Sequence, residues 1–494
     1  MTRQTLILRN ASIIDGMGNN PAEGDISIAG DRIESIGTVA GNAEEEIDLD
    51  GLSIAPGFID VHTHDDFAAI LHPDMAFKAM GGVTSCVVGN CGMGAAPYPQ
   101  ALVLARAFHP GQNLPEWVGY RGYLDYIDNQ NPSINIAALA GHGTIRMAVL
   151  GNDSREPTSS EMKQMKILLQ EGLDAGVLGL SSGLIYDPGR HAGTDELIEL
   201  ASIMMGTTAL YTTHMRNEGT RLLESVGEAI QIGKAAGVGV QISHHKASGR
   251  ESWGLVKESL KLIEEAQDSG LDVHADQYPY TAGSTILSAT IQQGGLDDEG
   301  GGLGQVDAEG IVIASTENHH EWEGQSIAEL SIRFGKSPQE TAEEILRNEP
   351  GATVVLHSML EEDVQKVMAH PSTMIGSDGI PTLQGKPHPR LYGSFARVLG
   401  HYCRDLGLFD LPTAIYKMTG LSAKKFGLID RGELREGAFA DLVVFDGAAI
   451  LDKGTFADPN HYPEGIHHLF VNGIKVMNNG VLTGARPGHS LRRQ

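Results

Sequence analysis

Hydrophobic and polar residues follow two rhythms along this chain. The first fifty residues alternate with a period of two: "TLILRNASIID", "GDISIAGDRIESIG" and "EEEIDLDG" are short β-like runs parted by Gly, Asn and Asp turns. The carboxyl end does the same in "ADLVVFDG" and "IHHLFVNGIKVMNNGVL". Between these ends, short apolar runs take turns with segments of helical spacing. The candidate strands are "APGFIDVHTH", "GVTSCVVGNC", "SINIAALAGH", "GVLGLSSG", "ALYTTHMR", "VGVQISHHK", "LDVHADQYPY" and "STMIGSDG". "SSEMKQMKILLQEGLDAG", "RLLESVGEAIQIGKAAG" and "GLVKESLKLIEEAQDSG" carry apolar residues three and four apart and close on Gly. Strands with intervening helices in this order predict an α/β fold, a parallel (β/α)8 TIM barrel.

The rhythm breaks once, between the seventh and eighth of these strands, in Gly-rich "QQGGLDDEGGGLG" and two further strand-like runs, "EGIVIAST" and "ATVVLHSM". The pattern therefore divides the chain three ways. Residues 1–54 and 430–494 form a small β-domain from both termini, and 55–282 with 371–429 form the barrel. Residues 283–370 form an insertion between strands seven and eight, over the barrel mouth, where loops carry function.

Composition narrows the function classes. A chain of 494 residues with 41% hydrophobic and 20% charged residues is globular and can bury a large core. It has no apolar run long enough to span a bilayer, and "MTRQTLILRN" lacks the regions of a signal peptide. Three cysteines (Cys86, Cys91, Cys403) argue against a disulfide framework and for a cytoplasmic setting. A net charge of −27 argues against nucleic-acid and membrane partners. An acidic small-molecule substrate would need its own local cations.

In such a barrel the active site gathers the C-terminal ends of the strands. In "APGFIDVHTHDD" a buried strand runs into His62 and His64, which two-residue alternation sends the same way. With 20 histidines in the chain, one His-x-His is expected by chance, so the pair needs partners. The other strand ends supply Cys91, His142, His214, His244 with His245, and Asp378. Imidazole, thiolate and carboxylate are the ligand types of zinc. One strand-end histidine is most often structural; several at one rim are hard to attribute to chance.

The ordered set "PGFIDVHTHDD", "GNCG", "GHGTIR", "SSGLIY", "THMRNE", "ISHHK", "YPYTAGST", "GSDG" and "HPRLYGSF" resembles the N-acyl-D-amino-acid deacylase (D-aminoacylase) family of the amidohydrolase superfamily, over nearly the whole chain. The resemblance implies a metal centre at His62, His64, Cys91, His214, His244 and Asp378. One zinc would be bound tightly by Cys91 and the two later histidines, with a second, weaker site at the His-x-His pair. Cys91 takes the place of the carboxylated lysine that bridges metals in many amidohydrolases, and "LSSGLIY" at strand four offers no lysine. Of His244 and His245, alternation allows one to face the metal, and the family pattern selects His244.

The implied reaction is zinc-dependent hydrolysis of the amide of an N-acyl-D-amino acid, with Asp378 carrying a proton from water to the leaving amine. Lys246 and Arg390 match family positions that hold the substrate carboxylate, and Tyr186, Tyr278 and Ser284 would supply hydroxyls. His142 and Arg146 match a motif without an assigned role. Three other readings compete: a dihydropyrimidinase-like cyclic amide hydrolase, a metal-dependent deaminase, and a catalytically silent scaffold. The first usually has the bridging lysine and the second usually lacks the cysteine, while a scaffold would be expected to lose ligands.

Overall fold

The computed structural model describes residues 6–109, 112–291, 296 and 302–494. Its barrel wall is built from Phe58–Asp60, Val83–Val88, Asn135–Ala138 continued by Ala140–Gly141, Gly179–Gly183, Leu210–His214, Gly239–Ile242, Val273–Gln277 and Thr373–Ile375. These are barrel strands one to eight, each paired in parallel with the next. Strand two, "VTSCVV", is buried at every position, as a parallel strand covered on both faces must be. Between strands eight and one the ladder shrinks to a single bridge, Thr63 with Gly379.

The helices read from the sequence form as Ser159–Ala175, Leu222–Ala236 and Val256–Asp268. The first is capped by Thr158 rather than by the serines that follow. Its side chain accepts the Glu161 N–H while the Glu161 carboxylate accepts the Thr158 N–H, satisfying two donors that a helix start leaves open. Gly176 ends it at φ +103°, a conformation L side chains avoid. Among the described residues no helix is long and apolar enough to cross a membrane.

The termini meet in one sheet, where Leu442–Phe445 pairs antiparallel with Ser53–Pro56, itself beside Leu6–Ile13. The end of the chain departs from the expected terminal β-domain. Ser490–Leu491 pairs with Ile136–Ala137 of barrel strand three. Asp128 accepts both the Ser490 N–H and its hydroxyl, and Arg492 bridges Asp125 and Asp128. Those polar ties draw the segment onto the barrel.

The insertion has its own antiparallel sheet, Ala282–Ile286, Thr353–His357 and Ile311–Ser315, with the two anticipated runs as strands. Two helices that hydrophobic patterning did not flag, Ile327–Phe334 and Pro338–Asn348, lie between them. Each opens with a Ser-to-Glu capping box, Ser326 with Glu329 and Ser337 with Glu340. Leu330, Ile345, Ile313, Val354 and Trp322 form the core of this layer. Most of the Gly-rich stretch at 292–304 lies outside the described residues.

Strand four packs against the loop that carries Cys91. A Cβ at Gly183 would lie 2.1 Å from the Cys91 carbonyl oxygen. Gly183→Ala is therefore expected to destabilise the protein by about 1–3 kcal/mol. Gly227→Ala, inside the helix Leu222–Ala236 with nothing within 4 Å of its Cβ position, should stabilise by up to about 1 kcal/mol. Thermal melts of the two variants test this, and the reverse order would contradict the packing.

Candidate metal centre

His62 and His64 lie just past strand one, and Cys91 lies on the loop after strand two. His214 closes strand five, His244 follows strand six and Asp378 follows strand eight. All six are buried. The Cys91 sulfur is 3.4 Å from His62 Nε2, 3.5 Å from His244 Nε2 and 3.7 Å from His214 Nδ1. Asp378 Oδ1 is 3.4 Å from His62 Nε2 and 3.3 Å from His64 Nε2. His62 Nε2 thus faces both the thiol and the carboxylate.

Those spacings fit a metal. Zinc bonds of about 2.0–2.1 Å to nitrogen and 2.3 Å to sulfur, at a tetrahedral angle, put neighbouring donors about 3.4–3.6 Å apart. Ligand atoms of His62, Cys91 and His244, and likewise of His62, His64 and Asp378, lie within 4.8 Å of one another. The backbone is bent to achieve this: Cys91, His244 and Asp378 have φ of +54°, +36° and +50°. Strain of this kind persists only where surrounding structure enforces it, and it clusters at functional sites.

Two carboxylates not singled out in the sequence stand behind the imidazoles. Asp276, on strand seven, has Oδ1 3.3 Å from His62 Nδ1 and accepts the His244 N–H at 2.8 Å. Glu218, four residues past His214, has Oε1 2.9 Å from His244 Nδ1 and Oε2 3.8 Å from His214 Nε2. His62 and His244 therefore turn one nitrogen to the centre and the other to a carboxylate, the arrangement that fixes tautomer and orientation in metal-binding histidines. Both residues were legible only as acidic groups in strand-end motifs, "HADQ" and "THMRNE".

The facing groups shift one another's protonation. Burial opposes ionisation of Cys91, yet facing His62, His214 and His244 hold its thiol well below the usual range. Burial likewise opposes the Asp378 carboxylate, but Arg390, His244 and His64 hold it well below the usual carboxylate range. Burial works against charge on His64 too, and Asp378 and Cys91 outweigh it, raising the imidazole to about 9. Protons on such imidazoles and a metal ion compete for the same places.

The remaining expectations divide. His245 turns away from the centre, its Nε2 2.9 Å from Ser259 Oγ, and burial lowers it to about 3. His142 does not end strand three but begins the helix His142–Leu150. Its Nε2 is 2.8 Å from Glu196, which also takes Arg146, in a buried ion cluster apart from the metal-facing groups. Arg390 opens the helix Arg390–Arg397 and reaches Asp378 Oδ2 at 2.9 Å and the Ser284 carbonyl at 3.1 Å. Its guanidinium lies 4.4 Å from the centre of the Tyr278 ring. Lys246 is engaged by Glu218, at 2.6 Å. Tyr186, Tyr278, Ser284 and Lys246 line the cleft above the centre together with Phe108 and Ile380.

Comparison with known proteins agrees with this geometry. The amidohydrolase family model matches residues 45–476. A D-aminoacylase of Alcaligenes xylosoxydans xylosoxydans is 40% identical over 99% of this chain and 97% of its own. A crystal structure of D-aminoacylase aligns with a TM-score of 0.89 at 38% identity, covering 99% of this chain and 100% of that one. The N-acyl-D-glutamate deacylase of Bordetella bronchiseptica, solved with zinc and a phosphonate mimic of the tetrahedral intermediate, aligns with a TM-score of 0.89 at 36% identity. It covers 99% of this chain and 100% of its own. These full-length matches establish that the chain belongs to the D-aminoacylase family of amidohydrolases.

Proposed function

We propose that this protein is a zinc-dependent deacylase that hydrolyses the amide of N-acyl-D-amino acids to a carboxylate and a free D-amino acid. The observation that carries this reading is the Cys91 sulfur, which stands 3.4, 3.5 and 3.7 Å from nitrogens of His62, His244 and His214. Cys91, His214 and His244 would hold the tighter ion, and His62, His64 and Asp378 a second, weaker one. Zinc bound there supplies a Lewis acid for the amide carbonyl and activates water near neutral pH.

The chain's own groups then divide the labour. Asp378 is held well below the usual carboxylate range by Arg390 and the facing histidines, and one of its oxygens faces the histidines while the other is held by Arg390. It can take a proton from attacking water and deliver it to the leaving nitrogen, without which the amine does not depart. Among the described residues, Arg390 Nε and Nη1 are buried and find no hydrogen-bond partner, a costly state for a guanidinium. A substrate α-carboxylate would satisfy them as a charge-assisted pair. Lys246 adds positive charge on the same side, its ammonium 5.7 Å from the centre of the Tyr278 ring. The hydroxyls of Tyr186, Tyr278 and Ser284 border this space. The D configuration is supported by the relatives. Three unpaired cysteines support a reducing, cytoplasmic setting.

Asp378→Asn should retain tightly bound zinc while turnover falls about 10²–10⁴-fold, the range for losing a general acid–base group. Metal analysis and kcat on one preparation check both halves, and undiminished turnover would place the proton shuttle elsewhere. The function itself is tested on a panel of N-acetyl-D- and N-acetyl-L-amino acids, with metal content measured in parallel. Hydrolysis confined to the D series, in protein that carries zinc, is expected. Turnover of the L series alone, or by fully metal-free protein, would overturn the proposal.

A further inference from the structure

The barrel is closed where its sheet is weakest. Among the described residues, strand eight, Thr373–Ile375, pairs in a ladder only with strand seven, and strand one only with strand two. The seam between strands eight and one carries the Thr63–Gly379 bridge and two backbone hydrogen bonds. The Asp378 N–H donates to His62 O at 2.7 Å and the His64 N–H to Gly379 O at 3.1 Å. Yet His62, His64 and Asp378, which approach to 3.3–3.4 Å, sit on opposite sides of that seam.

Directly beneath it lies a buried cluster that the proposed chemistry does not use. Lys78, 2% exposed on the short helix Ala76–Ala79, donates to Asp60 Oδ2 at 2.6 Å and Ser377 Oγ at 2.8 Å. Its ammonium is 3.3 Å from Asp65 Oδ2. Asp60 also accepts the Ser377 N–H at 2.8 Å and the Ser377 hydroxyl at 2.6 Å, and the Ser377 oxygen accepts the Gly379 N–H at 3.0 Å. Asp60 stands two residues before His62, Asp65 follows His64, and Ser377 precedes Asp378. One ammonium therefore pins the strand-one end and the strand-eight end to each other. Charge-assisted bonds in a dry interior are the strong ones, and here they stand where ladder bonds are missing.

We propose that Lys78 is a positioning residue: through Asp60 and Ser377 it fixes the separation between the His62–His64 segment and Asp378, and so sets the second metal position without touching it. The inference rests on the metal reading above. It predicts a selective effect, because Cys91, His214 and His244 are carried by the ends of strands two, five and six, whereas the hydrogen bonds of Lys78, Asp60 and Ser377 tie the ends of strands one and eight. A general packing role for a buried ion cluster predicts no such selectivity.

Stepwise loading with cobalt(II) by equilibrium dialysis tests this, on wild type, Lys78→Met and Ser377→Ala. A thiolate-to-cobalt charge-transfer band reports the ion at Cys91. The first equivalent should bind both variants as it binds wild type, with that band unchanged. The second should bind Lys78→Met at least tenfold more weakly, and Ser377→Ala more weakly by a smaller factor. Folded Lys78→Met with wild-type affinity for both equivalents, or with both weakened alike, overturns the inference. Removing one partner from a buried ion cluster is destabilising. If Lys78→Met does not fold, Ser377→Ala decides, and wild-type affinity for its second equivalent overturns the inference. Wild-type protein lacking the charge-transfer band would overturn the metal reading itself, and this inference with it.

Discussion

A thiolate, a carboxylate and four imidazoles share one buried volume at the mouth of this barrel, with two more carboxylates directly behind them. Charges of that kind are expensive away from water unless they are paired. The pairing is visible on every side: Arg390 on Asp378, Glu218 and Asp276 on the outer nitrogens of His244 and His62, and Lys246 on Glu218. Under the proposed reading, a metal ion between Cys91 and Asp378 would complete that pairing. The fold, the strained backbone at three of the donors and the ties at the seam all serve to keep these groups in one place.

Delivering the donors requires different segments to stop in register. The barrel provides this through parallel strands whose ends share one rim, but a ladder alone leaves its seam loose. Two kinds of local device finish the work. Positive φ at Cys91, His244 and Asp378 re-aims side chains that a regular strand would send elsewhere. Polar groups under the rim, Lys78 with Asp60 and Ser377, join strands that scarcely pair. Close approach also explains two glycines at this rim: Gly183 and Gly92, at the ends of strands four and two, lie where a Cβ would meet each other's backbone segment.

The sequence made the architecture legible because parallel strands buried on both faces read as short apolar runs, and their helices read at a spacing of three and four. His62 and His64 were legible for the same reason, since a period of two sends both to one face. The choice between His244 and His245 was decided in part by that rule, and His245 does pack against Ser259. His142 was placed at the end of strand three without a role; it follows that strand directly, but it also begins a helix and turns to Glu196, which an apolar run does not mark. Glu218, Asp276 and Lys78 were overlooked because their roles depend on what lies across the barrel. No local pattern distinguishes a buried carboxylate behind a histidine from one in solvent. Arg390 was read as matching a position that holds the substrate carboxylate, and its pairing with Asp378 across a turn is one that spacing could not predict.

Sulfur in the metal's coordination sphere is the claim on which the chemistry stands, and X-ray absorption at the zinc edge reads it directly. The account predicts one sulfur scatterer at about 2.3 Å with nitrogen or oxygen neighbours at about 2.0–2.2 Å. A shell of nitrogen and oxygen alone would contradict it, and would leave Cys91 as a buried thiol with no part in binding the ion.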